Sequence, residues 1–129
     1  MTQASKLLAL VTMLGSAAAP LVARACECDV IVDGASAEIV FVGAVVAQSE
    51  WVPPRADDML LRTFRYTFAV DKSLKGPKMR EVVVDTYTHL CGYPFKVHGR
   101  YTVYAKALPD NGIQWFTSRC SKTSRVRRQ

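Results

Sequence analysis

The chain has 129 residues, half of them apolar, with 17 Lys and Arg against 11 Asp and Glu and a formal charge of +6. That length builds one domain and excludes a multi-domain enzyme, a large cofactor-binding fold and a polytopic membrane protein. Its seven glycines and six prolines are ordinary for the length and exclude a collagen-like or disordered chain.

Residues 1–25 read as a secretory signal peptide. Lys6 precedes the apolar run Leu7-Leu8-Ala9-Leu10-Val11-Thr12-Met13-Leu14, and Ala23-Arg24-Ala25 supplies a small-residue cleavage site. The strongly apolar stretch is about eight residues, against roughly 20 for a membrane span. No transmembrane segment is therefore expected in the mature chain. A lipoprotein signal is the competing reading, because Cys26 follows the cut directly. Ala23 and Arg24 depart from its usual pattern. Cleavage after Ala25 leaves 104 residues with 15 basic and 11 acidic side chains, or +4, in a secreted or periplasmic protein. It also makes Cys26 the N-terminus. A free α-amine titrates near pH ~8, so part of it is neutral at pH 7 and offers a lone pair to a metal.

Along the mature chain, Asp29, Asp33, Gly34 and Ser36 predict a turn. Residues 37–47 are β-branched and apolar and predict a long strand, with Gly43 at a bend or bulge. Residues 52–58, with Pro53 and Pro54, predict a loop, and its acids Asp57 and Asp58 read as solvated. Residues 62–71 alternate: Phe64, Tyr66, Phe68 and Val70 share one face, and Arg65, Thr67 and Asp71 the other. That pattern predicts a half-buried antiparallel strand. A turn follows at 75–78. Residues 81–88 form the next strand, with Val82, Val84 and Thr86 alternating against Val83, Asp85 and Tyr87. Cys91-Gly92-Tyr93-Pro94 interrupts the pattern. Residues 101–105 and 113–118 are two further strands, joined by a tight turn through Asn111-Gly112. Residues 121–129 read as a basic tail. About five strands without an amphipathic helix predict an all-β domain, a five-stranded Greek-key barrel that closes its own edges.

Four cysteines allow three pairings. Bridging Cys26 to Cys28 strains the disulfide geometry, which disfavours one of them. Both others tie Cys26-Glu27-Cys28 to the middle and the end of the chain. Each closes loops of more than 60 residues, worth about 4 kcal/mol per bridge. Two disulfides suit an oxidising compartment. The competing reading is a zinc or copper site built from Cys26, Cys28, His89 and Cys91.

These residues carry a resemblance. The mature chain opens on Cys26-x-Cys28. Tyr66-Thr67-Phe68-Ala69-Val70 is followed by Leu74-Lys75-Gly76. Cys91-Gly92-Tyr93-Pro94-Phe95 is followed by Gly99-Arg100-Tyr101-Thr102-Val103-Tyr104. Ser118-Arg119-Cys120 stands near the end. In this order, over residues 26–120, the chain resembles the inhibitory domain of the tissue inhibitors of metalloproteinases, a netrin-like domain, and most closely its short bacterial forms. The resemblance implies an OB-like barrel with Cys26 paired to Cys91 and Cys28 to Cys120. It implies a metalloendopeptidase inhibitor whose N-terminal Cys26 chelates the target's catalytic zinc through its amine and carbonyl. Glu27 would enter the target's specificity pocket, and Tyr87, Thr88, His89 and Leu90 would form the neighbouring contact ridge. The chain departs from the family at Glu27, where animal members carry a small residue. It also lacks the proline usual soon after the second cysteine, and has four cysteines where the animal domain has six.

His89 and His98 read otherwise as surface polar residues. No nucleophile with a partnered base and no Gly-rich phosphate loop appears, so we expect no enzymatic activity, no cofactor and no metal of its own. Lys122, Arg125, Arg127 and Arg128 in the tail read either as a solvated end or as attraction to an acidic polymer or membrane surface, weakened by salt. Phe64, Tyr66, Tyr101, Tyr104 and Trp115 suit a core better than a stacking face, so no nucleic-acid partner is expected. The chain is expected to be a monomer. The alternative to inhibition is a netrin-like binding or structural module without a protease target.

Overall fold

The computed structural model describes residues 26–28, 30–52 and 62–127. The expected signal segment, most of the 52–58 loop with Asp57 and Asp58, and Arg128 lie outside the described residues.

The β-branched run after Ala37 forms β1 (Ile39–Trp51), and the alternating segment forms β2 (Thr63–Lys75). They pair as a long antiparallel hairpin from Val40↔Lys75 to Trp51↔Thr63. β1 runs beyond Ala47 because Gln48, Ser49 and Glu50 pair with Tyr66, Arg65 and Phe64, although nothing in their side chains favours a strand. The register slips at three points, one of them between Val42 and Gly43. At Gly43 a Cβ would lie 2.6 Å from the Ala69 carbonyl oxygen, so the close approach of β1 to β2 requires glycine there.

Gly76, at φ 84°, turns the chain toward β3 (Glu81–Tyr87). β3 pairs antiparallel with β2, from Thr63↔Tyr87 to Ala69↔Glu81. β4 (Arg100–Leu108) returns antiparallel along the other edge of β1, from Ile39↔Ala105 to Ala44↔Arg100. A 3-10 turn at Pro109–Asn111 and Gly112, at φ 70°, lead into β5 (Ile113–Phe116). β5 pairs antiparallel with β4 and touches β3 in parallel at Asp85↔Phe116. The described chain is therefore all-β, with five strands in a closed ring, β1-β2-β3-β5-β4 and back to β1.

The segment expected to be a free tail is not free over its described part. Ser124–Arg125 forms β6, which pairs with β4 at Thr102↔Ser124 and Tyr101↔Arg125. β5 and β6 thus share one edge of β4, and hydroxyl groups bridge the gap between them. The Tyr104 N–H donates to Thr123 Oγ1 at 3.0 Å, and Thr117 Oγ1 donates to the Tyr104 carbonyl at 2.8 Å. The backbone groups of Tyr104 that no strand reaches are satisfied in this way.

Inside the ring, Ile39, Phe41, Val45, Tyr66, Phe68, Val82, Val84, Tyr101 and Val103 pack around Phe95. The rings of Tyr66, Phe68 and Tyr101 meet that of Phe95 edge to face with centroids 4.9–5.1 Å apart, and the Tyr93 ring lies tilted to it at 4.5 Å. Burying the Phe95 side chain contributes about 1.5–3 kcal/mol and anchors the irregular segment before β4. Phe64 and Trp115 pack against this cluster, and Tyr104 against a smaller one of Val32, Ala37 and Val40. Of these aromatics Tyr66 and Tyr101 are buried, and Phe64, Tyr104 and Trp115 are half-buried. Val32 also bridges Ser121 in parallel, which lays the N-terminal segment beside the C-terminal one.

Asp85 lies on the face of β3 that alternation assigns to the outside, yet it is only 1% exposed. The register places Arg65 of β2 directly opposite it. Arg65 Nε donates to Oδ1 at 3.0 Å, Nη2 donates to Oδ2 at 3.2 Å, and Thr63 Oγ1 donates to Oδ1 at 3.3 Å. The Arg65 guanidinium carbon lies 3.6 Å from the ring centroid of Trp51, so the indole packs on the guanidinium that holds the carboxylate.

Candidate functional site

Disulfides join Cys26 to Cys91 and Cys28 to Cys120, with Cα atoms 5.2 and 5.8 Å apart. This is one of the two pairings that the spacing leaves open. It consumes every cysteine as a bridge, so the competing set of Cys26, Cys28, Cys91 and His89 has no thiolates to offer a metal. Among the described residues no group of three or more His, Cys, Asp and Glu is placed to hold a metal ion.

The two bridges hold residues 26–28 as a strap between the segments that follow β3 and β5. Beyond it, Val32 N–H donates to the Cys120 carbonyl and Lys122 N–H donates to the Val32 carbonyl, at 3.3 and 3.0 Å. Asp33 then closes a turn by accepting the N–H groups of Ala35 and Ser36, each at 2.9 Å. Those backbone donors hold the Asp33 carboxyl below its ordinary value. Glu27 is exposed at the middle of the strap.

The other half of the candidate site follows β3. Tyr87 is half-buried with its ring against Phe116, at 4.8 Å and 72°. The His89 imidazole stacks on it at 4.4 Å and 20°. His89 Nδ1 accepts the Cys91 N–H at 3.1 Å, and its carbonyl accepts the Gly92 N–H at 2.9 Å. Thr88, His89 and Leu90 are exposed, Leu90 by 71%. Gly92 makes the tight return possible: a Cβ there would overlap the Tyr87 carbonyl oxygen. The Tyr93 N–H donates to Thr86 Oγ1 at 2.9 Å and seats the outgoing chain on β3. Burial raises the Tyr93 phenol above its ordinary value, and the neighbouring Tyr101 adds to the shift. The Tyr66 phenol is raised for the same two reasons.

The Arg119 N–H donates to the Cys91 carbonyl at 2.9 Å. This ties the two bridges to each other. Cys26, Glu27, Thr88, His89 and Leu90 therefore belong to one assembly, in which the strap is covalently fixed at Cys91, one residue past the exposed 88–90 segment. A shallow groove of about 480 Å³ runs beside it, walled by Phe64, Tyr87, Leu90, Pro94 and Arg119. Sequence reasoning does not single out Arg119 or Pro94 for this surface. The available signal was their position next to Cys120 and two residues after Gly92. His98 stands elsewhere, in the turn that joins the end of the core to β4.

The arrangement presents two peptide segments side by side, fixed by bridges and backbone hydrogen bonds. Such a surface suits binding, since its polar backbone groups and side chains are held before a partner arrives. Comparison with protein-family models gives no match to this chain, and comparison with curated proteins gives none either.

Proposed function

We propose that the chain is a secreted inhibitor of zinc metalloendopeptidases, with an OB-like barrel as its scaffold. The ring order β1-β2-β3-β5-β4 supports the scaffold, and two disulfides are compatible with an extracellular or periplasmic setting. The observation that carries the inhibitory reading is the strap: Cys26 and Cys28 are each bridged, so residues 26–28 are clamped beside the exposed 88–90 segment.

In this reading the signal is removed after Ala25 and the Cys26 amine becomes free. A catalytic zinc keeps one coordination position open for water. The Cys26 amine and carbonyl chelate that zinc and displace its water. Because the bridges hold Cys26 in advance, little ordering entropy is lost on binding. Glu27 points the reading toward a target with a basic pocket, because a carboxylate buried without a partner is costly.

The test is inhibition of a panel of zinc metalloendopeptidases by the chain beginning at Cys26, and by a variant with one alanine added ahead of it. Inhibition by the first and none by the second is expected. Equal inhibition by both refutes chelation. Glu27 also favours a second reading, a binding module of another kind. A tight 1:1 complex with a metalloendopeptidase that disappears when the enzyme's zinc is removed counts against that reading.

A further inference from the structure

A second groove lies on the side of the molecule formed by β4 and β6. Its volume is about 1210 Å³, and it is lined by Ala44, His98, Gly99, Arg100, Arg125, Val126 and Arg127. Three of these are arginines, and no Asp or Glu lines the groove among the described residues. We propose that this groove binds a phosphate-type oxyanion. The proposal goes beyond the inhibitory reading and does not depend on it.

The docking of β6 assembles the groove. Arg125 pairs opposite Tyr101, and the Val126 N–H donates to the Arg100 carbonyl at 2.9 Å. In an extended segment residues two apart face the same way, so Arg125 and Arg127 both reach the groove while the backbone between them is held by β4. The Arg125 guanidinium carbon lies 6.0 Å from the ring centroid of Tyr101, which stabilises the cation on the groove wall. Arg100 projects from β4, and its Nε bonds Asp71 Oδ2 at 2.9 Å. A guanidinium has five N–H donors, so this pair orients Arg100 without exhausting it. His98 adds a fourth nitrogen-bearing side chain. Its backbone sits at φ 70°, the one positive value outside glycine among the described residues, and its N–H donates to the Val45 carbonyl at 2.8 Å.

Planar guanidinium forks match tetrahedral oxyanions through paired, charge-assisted hydrogen bonds. Arg100 is partly offset by Asp71, but Arg125 and Arg127 have no ion pair among the described residues, and a phosphate group neutralises the positive field they leave. The groove has room for more than one such group. The phosphate is either free in solution or part of a lipid headgroup, and the two sources are separable by experiment.

The test uses the disulfide-bonded chain with two probes: sodium tripolyphosphate, and vesicles of phosphatidylglycerol compared with phosphatidylcholine. Binding of the first is followed through the NMR signals of the arginine Nε–H groups, and binding of the second by co-sedimentation. Two double variants remove equal charge. R125Q/R127Q alters the groove, whereas K72Q/K78Q alters the neighbouring surface of Val70, Asp71 and Met79, which shares no lining residue with the groove. R125Q/R127Q is expected to weaken binding about tenfold or more, and K72Q/K78Q to leave it within about twofold. R100Q, in a strand anchored in the ring, is expected to weaken it as well, which guards against mere detachment of β6. Tripolyphosphate binding alone assigns the site to free phosphate. Sedimentation with phosphatidylglycerol assigns it to a headgroup. Absence of binding to either probe at millimolar phosphate overturns the proposal. An equal loss in the two double variants also overturns it.

Discussion

Removing either disulfide should cost nearly the same stability, although the bridges span different lengths of chain. Cys26–Cys91 has a sequence separation of 65 and Cys28–Cys120 one of 92. Taken alone, loop-closure entropy assigns them about 4.4 and 4.7 kcal/mol. They begin two residues apart, however, so either bridge already brings the ends of the other within a route of about 31 residues. The second bridge to form therefore adds only about 3.7 kcal/mol, whichever it is. C26S/C91S and C28S/C120S should each lose about that amount, lowering Tm by about 15–25 °C for a domain of this size. Removing both should cost about 8 kcal/mol, about 0.7 kcal/mol more than the sum of the two. Urea denaturation measures all three, and m should rise in each variant as the unfolded chain expands. A loss that scales with the separate loop lengths, or one bridge worth under about 1 kcal/mol beside another worth over about 4, refutes the shared-loop reasoning. The same variants separate scaffold from site: C26S/C91S should lose inhibition at temperatures where it is still folded.

Arg65→Met leaves the buried Asp85 carboxylate without its main partner and should cost about 2–3 kcal/mol, at or below the low end for broken buried pairs because Arg65 is partly exposed. Asp85→Asn, which keeps the Thr63 contact, should cost about 1 kcal/mol, and the double variant less than the sum; additive losses in a denaturation cycle would contradict the pairing. Gly92→Ala drives a methyl group into the Tyr87 carbonyl and should cost about 2 kcal/mol or more. Backbone amide shifts should then move at residues 87–91. The raised phenols of Tyr66 and Tyr93 favour their neutral forms in the folded state. Stability from them is complete below the ordinary tyrosine value near ~10 and is lost as pH climbs through the raised values. Alkaline melting curves should therefore be flatter for Tyr66→Phe than for the parent. Asp33 has the opposite sign: its lowered value stabilises the turn above the ordinary carboxyl range. The amide signals of Ala35 and Ser36 should shift only as pH falls through the lowered value.

Much of the ring was legible because its signals are local. The alternation of Phe64, Tyr66, Phe68 and Val70 marks β2 without knowledge of its neighbours. Gly43, Gly76 and Gly112 mark the bend and the turns. The extension of β1 through Gln48, Ser49 and Glu50 was not legible, because it follows from backbone pairing with β2. β6 is two residues long and carries no pattern of its own, so only the free edge of β4 explains it. Asp85 reads as an outward residue until the register sets Arg65 opposite it. At the candidate site, adjacency in sequence places Thr88, His89 and Leu90 beside Cys91. The stacking of Tyr87 on His89, and the return of Arg119 to Cys91, depend on contacts between distant segments.

The hydroxyl groups between β5 and β6 have a consequence for the order in which the molecule opens. Thr117, Ser121 and Thr123 bond one another and the Tyr104 carbonyl, and Ser124 and Arg125 are exposed. The last strand is thus fastened mainly by polar contacts, and unlatching it exposes little apolar surface. Its opening free energy should fall well below that of the whole fold. Amide exchange at Val126 should outpace exchange at Val103, which lies in the core. An anion that bridges Arg100 to Arg125 would close that latch by mass action and slow the exchange at Val126. The C-terminal strand would then behave as a clasp whose grip depends on what it holds.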